Sequence, residues 1–499
     1  MTDCSETIEK SSGGLPPILR AEQTDAPLAR GPWYLTIAPS YLGIFVWAPF
    51  FDSLWIGDLT RFGVDSLIGR AVVGALLCYG LLFLVPALLG FRYRQSVGIV
   101  ASSTFGTLGS EWITGVAVGL ANILWYAVAI DYAVDSTLLG LHSCGLIDTA
   151  SLRAWDLGPM VVKSPVYLST ALFWIYITGM AGLLRLPGVI VALMRVYAPI
   201  ALLLLTGVAV YLLPNLGSYR LADAVSIAAN EGLNQRWPGH GSSLQVMTGF
   251  FAMAGLMSVD WGARLERRRD VLWGGLASIV LAASVTSVLS LVVVAGAVTR
   301  LVSDGATPTA SAINASPLSF RWALVHGIGG VPGGAILILF GLASLAPACY
   351  SVWVYGQRLS THWPRLRQSG WTWSGGLIAF VLGATSCVNR LDLVYSAMGD
   401  IFAPVVGVIV GNWVRLRGKW SGFRRGINPS AVIAWGAGAL VGMILDVFRV
   451  FNREYSDWCQ PTSVCGFLTS AVAFGLLTRM ESPAPSLAPT ADDPVHSNE

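Results

Sequence analysis

Over 499 residues the chain is 54% hydrophobic and 12% charged, where soluble domains carry about 25% charge; the mean hydropathy is +0.63. A net charge of +3 spread over that length excludes a basic nucleic-acid surface, so no nucleic-acid polymer is expected as a partner and the lipid bilayer is. Seven cysteines without metal-ligand spacing, and the absence of any His-x-x-Glu-His, Gly-x-Ser-x-Gly or phosphate-loop motif, argue against an enzyme and against a bound metal or cofactor.

The chain begins with a polar stretch holding Ser11, Ser12, Gly13, Gly14, Pro16 and Pro17. It lacks the apolar centre of a signal peptide, and residues 1–32 are expected to form a disordered cytoplasmic tail. Twelve apolar stretches follow, near 34–56, 67–89, 112–139, 165–184, 188–213, 244–263, 272–299, 328–356, 371–388, 393–414, 430–448 and 463–479. Each approaches the roughly 20 residues that a helix needs to cross a bilayer. Residues 481–499, rich in Pro, Ser, Ala and Asp, are expected to be a second disordered tail. With both tails inside, nineteen of the 31 Lys and Arg fall in inner segments and ten in outer loops, as the positive-inside rule requires. The densest inner anchor is Arg264, Arg267, Arg268 and Arg269. A multi-pass protein of the plasma or inner membrane, with both termini cytoplasmic, is therefore expected.

The first span contains Gly43-Ile44-Phe45-Val46-Trp47-Ala48-Pro49, and the sixth contains Gly249-Phe250-Phe251-Ala252-Met253-Ala254-Gly255. Both follow Gly-x-Phe-x-x-Ala and then a helix breaker, five helices apart. Gly and Pro weaken a helix and free backbone groups for a ligand; the alternative is that these glycines let helices pack closely. In the third span Trp125 offers a stacking face, and Asp131 lies six residues, about 9 Å, further along. A carboxylate inside a span is a functional candidate, here for a proton, a cation or the substrate; a structural ion pair is the other reading. Asp135, one turn on, is expected at the outer headgroups. Asp260 is expected to cap or salt-bridge the loop after the sixth span. Depth alone suggests the pairs Asp52–Arg70 and Arg195–Glu111. Cys459 and Cys465 share the last outer loop, as a disulfide or as two thiols.

Several segments resemble the nucleobase–cation symporter-1 family of purine and cytosine permeases. Ala101-Ser102-Ser103-Thr104-Phe105-Gly106-Thr107-Leu108-Gly109 is similar to its Ser-rich Phe-Gly-x-x-Gly segment. Leu124-Trp125-Tyr126 is similar to its Trp-Phe/Tyr-Gly signature, Tyr350-Ser351 to its Tyr-Ser-Ala-Gly-Leu, and Gly249 to Asp260 to its sixth helix. Phe402-Ala403-Pro404 with Gly407, Asn412-Trp413 and Arg415 resembles its tenth-helix pattern. The resemblance spans roughly residues 40 to 420. It implies an all-α polytopic fold of about twelve transmembrane helices: a five-plus-five inverted repeat of LeuT-like type over 33–213 and 214–420, with two additional helices over 428–480. It also implies a substrate held near the midplane in an aromatic sandwich.

The chain departs from the pattern at Ala127, at Ala129 where relatives often carry Gln, at Phe251 where they carry Trp, and at Pro347 or Ala348 where they carry Asn. The stacking faces persist while the polar hooks do not. The expected substrate-binding residues are Trp125, Phe251, its register alternative Phe250, Phe45, Gly43 and Gly249. Asp131 and Ser344 are the candidates for ion or proton coupling, with sodium less favoured because the adjacent Ser-Thr hydroxyl pair of sodium-coupled relatives is missing. The expected function is a secondary active permease for a small, planar heterocyclic solute such as a nucleobase. The alternatives are a permease for an amino acid, an amine or a vitamin, and a ligand sensor that keeps the fold without transport.

Overall fold

Inside a bilayer no water satisfies backbone N–H and C=O groups, so a spanning chain must satisfy them within helices or a closed barrel. The computed structural model describes residues 15–24, 30–152, 154–156, 161–183, 187–230, 241–305, 316–451 and 460–479; their regular elements are helices, apart from one ribbon of two-residue strands. The helices are α1 (Pro17–Thr24), α2 (Trp33–Phe45), α3 (Ala48–Leu54), α4 (Val64–Tyr93), α5 (Val97–Phe105), α6 (Thr107–Ser143), α7 (Pro165–Leu183), α8 (Pro187–Leu216), α9 (Leu221–Asn230), α10 (Ser243–Leu256), α11 (Ser258–Ala263), α12 (Asp270–Ser303), α13 (Phe320–Gly327), α14 (Gly330–Ala343), α15 (Leu345–His362), α16 (Gln368–Ala384), α17 (Leu391–Arg415), α18 (Pro429–Phe451) and α19 (Thr462–Leu477). The ribbon pairs β1 (Trp155–Asp156) with β2 (Val161–Val162), antiparallel, in the loop before α7. Among the described residues, eight helical stretches are long and apolar enough to cross a membrane, or nine if α2 and α3 count as one bent span. The stretches expected at 244–263, 371–388 and 463–479 are occupied by helices of 14, 17 and 16 residues, α10, α16 and α19.

The first span breaks where expected, with a 46° bend between α2 and α3. Trp47 is extended (φ −71°, ψ 119°), and Pro49, which has no N–H to give to the preceding turn, sits in the first turn of α3. The sixth stretch breaks at Met257, between α10 and α11, rather than at either glycine. Gly249 and Gly255 are close-approach positions. A Cβ on Gly249 would lie 2.3 Å from the Tyr395 carbonyl oxygen of α17, and one on Gly255 would lie 2.7 Å from the Leu82 Cβ of α4. Here the packing reading holds.

The basic loops gather at one end of the bundle, termed the basic end. There Arg94 donates to the carbonyls of Ala263 (3.0 Å) and Leu265, and Asp260 accepts the backbone N–H of Val97 at 2.7 Å. Asp260 thus satisfies one of the four orphan donors at the start of α5, a capping role at another helix and not in the loop after the sixth stretch, where it was expected.

The expectation of a disordered tail through residue 32 is corrected in part. Residues 17–24 form α1, with Ile18 and Leu19 buried; alternating Pro, Gly and Ser before it hid a short amphipathic helix that docks on the bundle. Glu22 pairs with Arg358 of α15 and accepts from Ser96 Oγ at 2.6 Å. Residues 1–14 and the expected tail 481–499 lie outside the described residues.

Candidate functional site

At the break of the first span, rings from five helices meet. Phe45 of α2 stacks on Phe251 of α10, with centroids 5.7 Å apart and planes 7° apart. Trp125 of α6 does not face Phe251. It meets Phe250 edge to face at 5.4 Å and 88°, and stacks on Tyr395 of α17 at 5.5 Å and 26°. Of the two registers left open in the sequence, the neighbour of Trp125 is Phe250. Trp47, at the break itself, touches Trp125 at 5.7 Å and Phe250 at 6.1 Å, and Phe50 packs on Phe250 at 4.7 Å. All seven rings are buried. Offset and edge-to-face contacts of this kind are each worth about 0.5–1.5 kcal/mol beyond burial.

Three rings in this cluster carry an unpaired donor. Trp47 Nε1, Trp125 Nε1 and Tyr395 Oη are buried without a hydrogen-bond partner among the described residues. Leaving a buried N–H or O–H unsatisfied costs about 1–3 kcal/mol each, and buried Trp and Tyr ordinarily find partners. Trp47 and Tyr395 each touch Trp125, so an acceptor placed among these rings could pair with their donors. Gly249 and Gly43 flank the cluster. A Cβ on Gly43 would meet only Ala198 Cβ at 3.9 Å, so Gly43 is not held to glycine by space.

Toward the opposite end of the bundle lies a buried charge network. Lys163, which precedes α7, donates to Asp131 Oδ1 at 2.6 Å and to Asp135 Oδ2 at 2.8 Å, both on α6. Tyr167 Oη donates to the same Asp131 oxygen at 2.7 Å. Arg321 of α13 binds Asp52 of α3 through its backbone N–H and its Nε, both at 2.9 Å, and through its second guanidinium nitrogen at 2.8 Å. It also reaches Asp135 at 3.5 Å. Each cation lies over a ring: Lys163 is 4.2 Å from the Tyr167 centroid and Arg321 4.8 Å from that of Tyr132. Burial alone would lower both cations, but the carboxylates outweigh it and hold Lys163 and Arg321 above their ordinary values. A small cavity of about 30 Å³ lies beside Asp135, Lys163, Ser164 and Tyr167.

The remaining expected pairings come out differently. Asp52 is paired with Arg321, not Arg70. Arg70 instead binds Asp58 at 3.0 Å, and Asp58 also accepts from the Ser243 backbone N–H (2.8 Å) and hydroxyl (2.6 Å) at the start of α10. Glu111 binds His362 Nδ1 at 2.5 Å, while the Arg195 side chain lies outside the described residues. Ser344, buried where α14 meets α15, donates to the Phe340 carbonyl of its own helix at 3.5 Å. Cys459 lies outside the described residues, so a Cys459–Cys465 bridge stays an expectation.

Tyr395, Trp47, Phe50, Lys163, Tyr167 and Arg321 were not singled out in the sequence. One signal for Lys163 was available: the chain has three lysines, Lys10, Lys163 and Lys419, and Lys163 follows the apolar pair Val161-Val162.

No family model matches the chain, and no curated protein matches it. Solved structures do. Mhp1, described as a nucleobase-cation-symport-1 family transporter in a closed conformation with bromovinylhydantoin bound, aligns with a TM-score of 0.54 at 13% identity, over 91% of this chain and 95% of that one. The inward-facing conformation of Mhp1 aligns with a TM-score of 0.55 at 14% identity, over 91% and 92%. The substrate-bound, outward-open state of a Na+-coupled sialic acid symporter aligns with a TM-score of 0.52 at 14% identity, over 92% of each chain. Over nine-tenths of its length, this chain has the fold of these membrane transporters.

Proposed function

We propose that the protein is a secondary transporter, a permease that carries a small, planar solute with hydrogen-bond acceptors across the plasma or inner membrane by alternating access. It is not an enzyme in this reading: transport changes no covalent bond and needs no catalytic group. The observation that carries the proposal is the ring cluster at the break of the first span, with unpaired donors on Trp47, Trp125 and Tyr395. A flat heterocycle with ring carbonyls fits that chemistry, because its face stacks on the rings while its oxygens take the donors. This is the substrate class of a nucleobase or a hydantoin-like ring. Indole and phenol donors would then stand in for the Gln and Asn hooks that the sequence lacks.

The two ends of the bundle supply the gates. The basic end faces the cytoplasm by the positive-inside rule, and there α1 and its Glu22–Arg358 pair close the inner path. At the outer side, Lys163 from the loop before α7 clamps α6, and Arg321 from α13 clamps α3. Opening either side means breaking buried ion pairs, so a solute is trapped between them until one set parts. For coupling, Ser344 is followed by Leu345 and not by a second hydroxyl, which favours a proton over sodium.

Trp125→Phe tests the donor role. It keeps an aromatic face and deletes the indole N–H. Affinity for the cognate heterocycle should fall about tenfold, the equivalent of one net hydrogen bond. The ligand-free melting temperature should hold or rise, since an orphaned donor is gone. Binding titrations and thermal melts check this; unchanged affinity would remove Trp125 Nε1 from the site.

A further inference from the structure

We propose that Asp400 is a proton-binding site, the group through which this permease couples solute movement to a proton; the coupling half rests on the transporter reading above. Asp400 lies in α17, nine residues or about 13.5 Å from its first residue at the helical rise. It is 1% exposed. Among the described residues it makes no ion pair and receives one hydrogen bond, from Thr462 Oγ1 of α19 at 2.9 Å. Arg449 and Asp446 act on Asp400 from a distance, while their own ion pairs lie elsewhere. On its own helix Asp392 binds Arg390 at 2.9 Å, and Arg449 of α18 at 3.6 Å. On α18, Asp446 binds Arg449 at 3.1 Å. From α10 and α19, neutral groups face this region: Gln245 Oε1 accepts from the Ser463 backbone and hydroxyl, and Thr248 bonds Ser463.

Within this group Asp392, Asp400 and Asp446 supply three carboxyls, against the guanidiniums of Arg390 and Arg449. Each of the other two acids has an arginine in contact, and Asp400 has a hydroxyl. An isolated carboxylate is far costlier inside a membrane protein than a neutral carboxyl. A proton is thus the counter-charge that the site can take. Room is kept for it by Gly442 of α18, where a Cβ would stand 2.6 Å from Asp400 Oδ1.

The placement joins the proton to the substrate site. Tyr395 and Asp400 are five residues apart on α17, roughly 140° around the helix. One face of α17 therefore stacks on Trp125, while another holds the carboxyl against α18 and α19. Its backbone between them touches α10, where a Cβ on Gly399 would lie 2.8 Å from Gly249 Cα. A shift of α17 on protonation moves the ring that contacts the solute. Asp131 is less suited to the task, being held by the Lys163 ammonium and the Tyr167 hydroxyl.

Infrared difference spectroscopy of the purified, ligand-free protein tests the site directly. Wild type should show a protonated-carboxyl C=O band that titrates reversibly with bath pH. The band should be missing in Asp400→Asn and kept in Asp446→Asn. A band unchanged in Asp400→Asn, or no titrating band in wild type, overturns the proposal. Should Asp400→Asn fail to fold, Thr462→Val serves instead: removing the donor to the charged form must move the midpoint to higher pH, and an unmoved midpoint also overturns the site. Liposomes holding the protein and a pH dye separate coupling from transport. If the band titrates but wild type moves no member of a nucleobase and hydantoin panel, the transporter reading falls and the proton site stands. If solute moves with the same indifference to an imposed pH gradient in wild type and Asp400→Asn, the coupling role is overturned.

Discussion

Replacing Lys163 with Met is expected to destabilise the protein by about 3–5 kcal/mol, the cost of stranding buried charge when one partner of an ion pair is removed. Lys163 is 2% exposed and sits between two carboxylates on one helix turn, Asp131 and Asp135. Without it the network keeps three carboxylates, with Asp52, against Arg321 alone. The pair itself is not the source of stability, since desolvation offsets most of its attraction. The double variant Lys163→Met/Asp131→Asn should therefore recover much of the loss, and a double-mutant cycle on thermal melts measures the coupling. Additive losses would mean that the two side chains do not act as a unit. The same ammonium has a pH signature. Its value is raised above the ordinary 10.5 because Asp131 and Asp135 outweigh burial. A raised cation stabilises fully below its unfolded value and loses that contribution only as pH climbs through the folded value. The Lys163 contribution should thus be flat around neutrality and fall on the alkaline side of 10.5, a limb that Lys163→Met lacks.

Gly249→Ala should be far more damaging than Gly43→Ala, although the two glycines occupy matching places in the Gly-x-Phe pattern. On helix propensity alone each change would gain about 1 kcal/mol. At Gly43 the new methyl meets only Ala198 Cβ at 3.9 Å, ordinary contact, so that gain should survive. At Gly249 it would lie 2.3 Å from the Tyr395 carbonyl oxygen and 2.8 Å from its carbon. Those atoms are backbone and cannot rotate away, so α10 and α17 must separate. Overpacking of this sort costs roughly 1–3 kcal/mol or more, which exceeds the propensity gain, and the separation moves Tyr395 off Trp125. Solute binding should be lost in Gly249→Ala and kept in Gly43→Ala, as read by melting temperature and ligand-induced shift on the same samples. Equal behaviour of the two variants would contradict the packing assigned to Gly249.

What the sequence made legible follows from how local each signal is. The break in the first span rests on Pro49, whose missing N–H acts within one turn, and it lies where expected. The break in the sixth stretch depends on how α10 meets α17 and α4, and glycines used for that contact look the same as glycines that break a helix. The choice between Phe250 and Phe251 is a matter of one residue, or 100° of rotation, and only the packed neighbours decide it. Asp131 was visible as an intramembrane carboxylate, but its partner Lys163 is 32 positions away in a loop, and the partner of Asp52, Arg321, is 269 away. Depth alone could not pair them. Tyr395 carried no motif; its place opposite Trp125 is a product of the fold. Asp400 lay in a stretch read for its Phe-Ala-Pro pattern, and its lack of a cation shows only once α18 and α19 are packed around it.

Whether the ring cluster holds a flat solute can be read from a thermal-shift screen of the detergent-purified protein against nucleobases, hydantoins, vitamins and amino acids, run in parallel on Trp125→Ala. A ligand that binds the folded state alone raises its melting temperature by mass action, by about 2.7 kcal/mol of stability at a hundredfold excess over Kd. A planar heterocycle bearing carbonyl oxygens should stabilise wild type and leave Trp125→Ala unmoved. Stabilisation by such a ligand of both proteins alike, or by non-planar solutes alone, would contradict it.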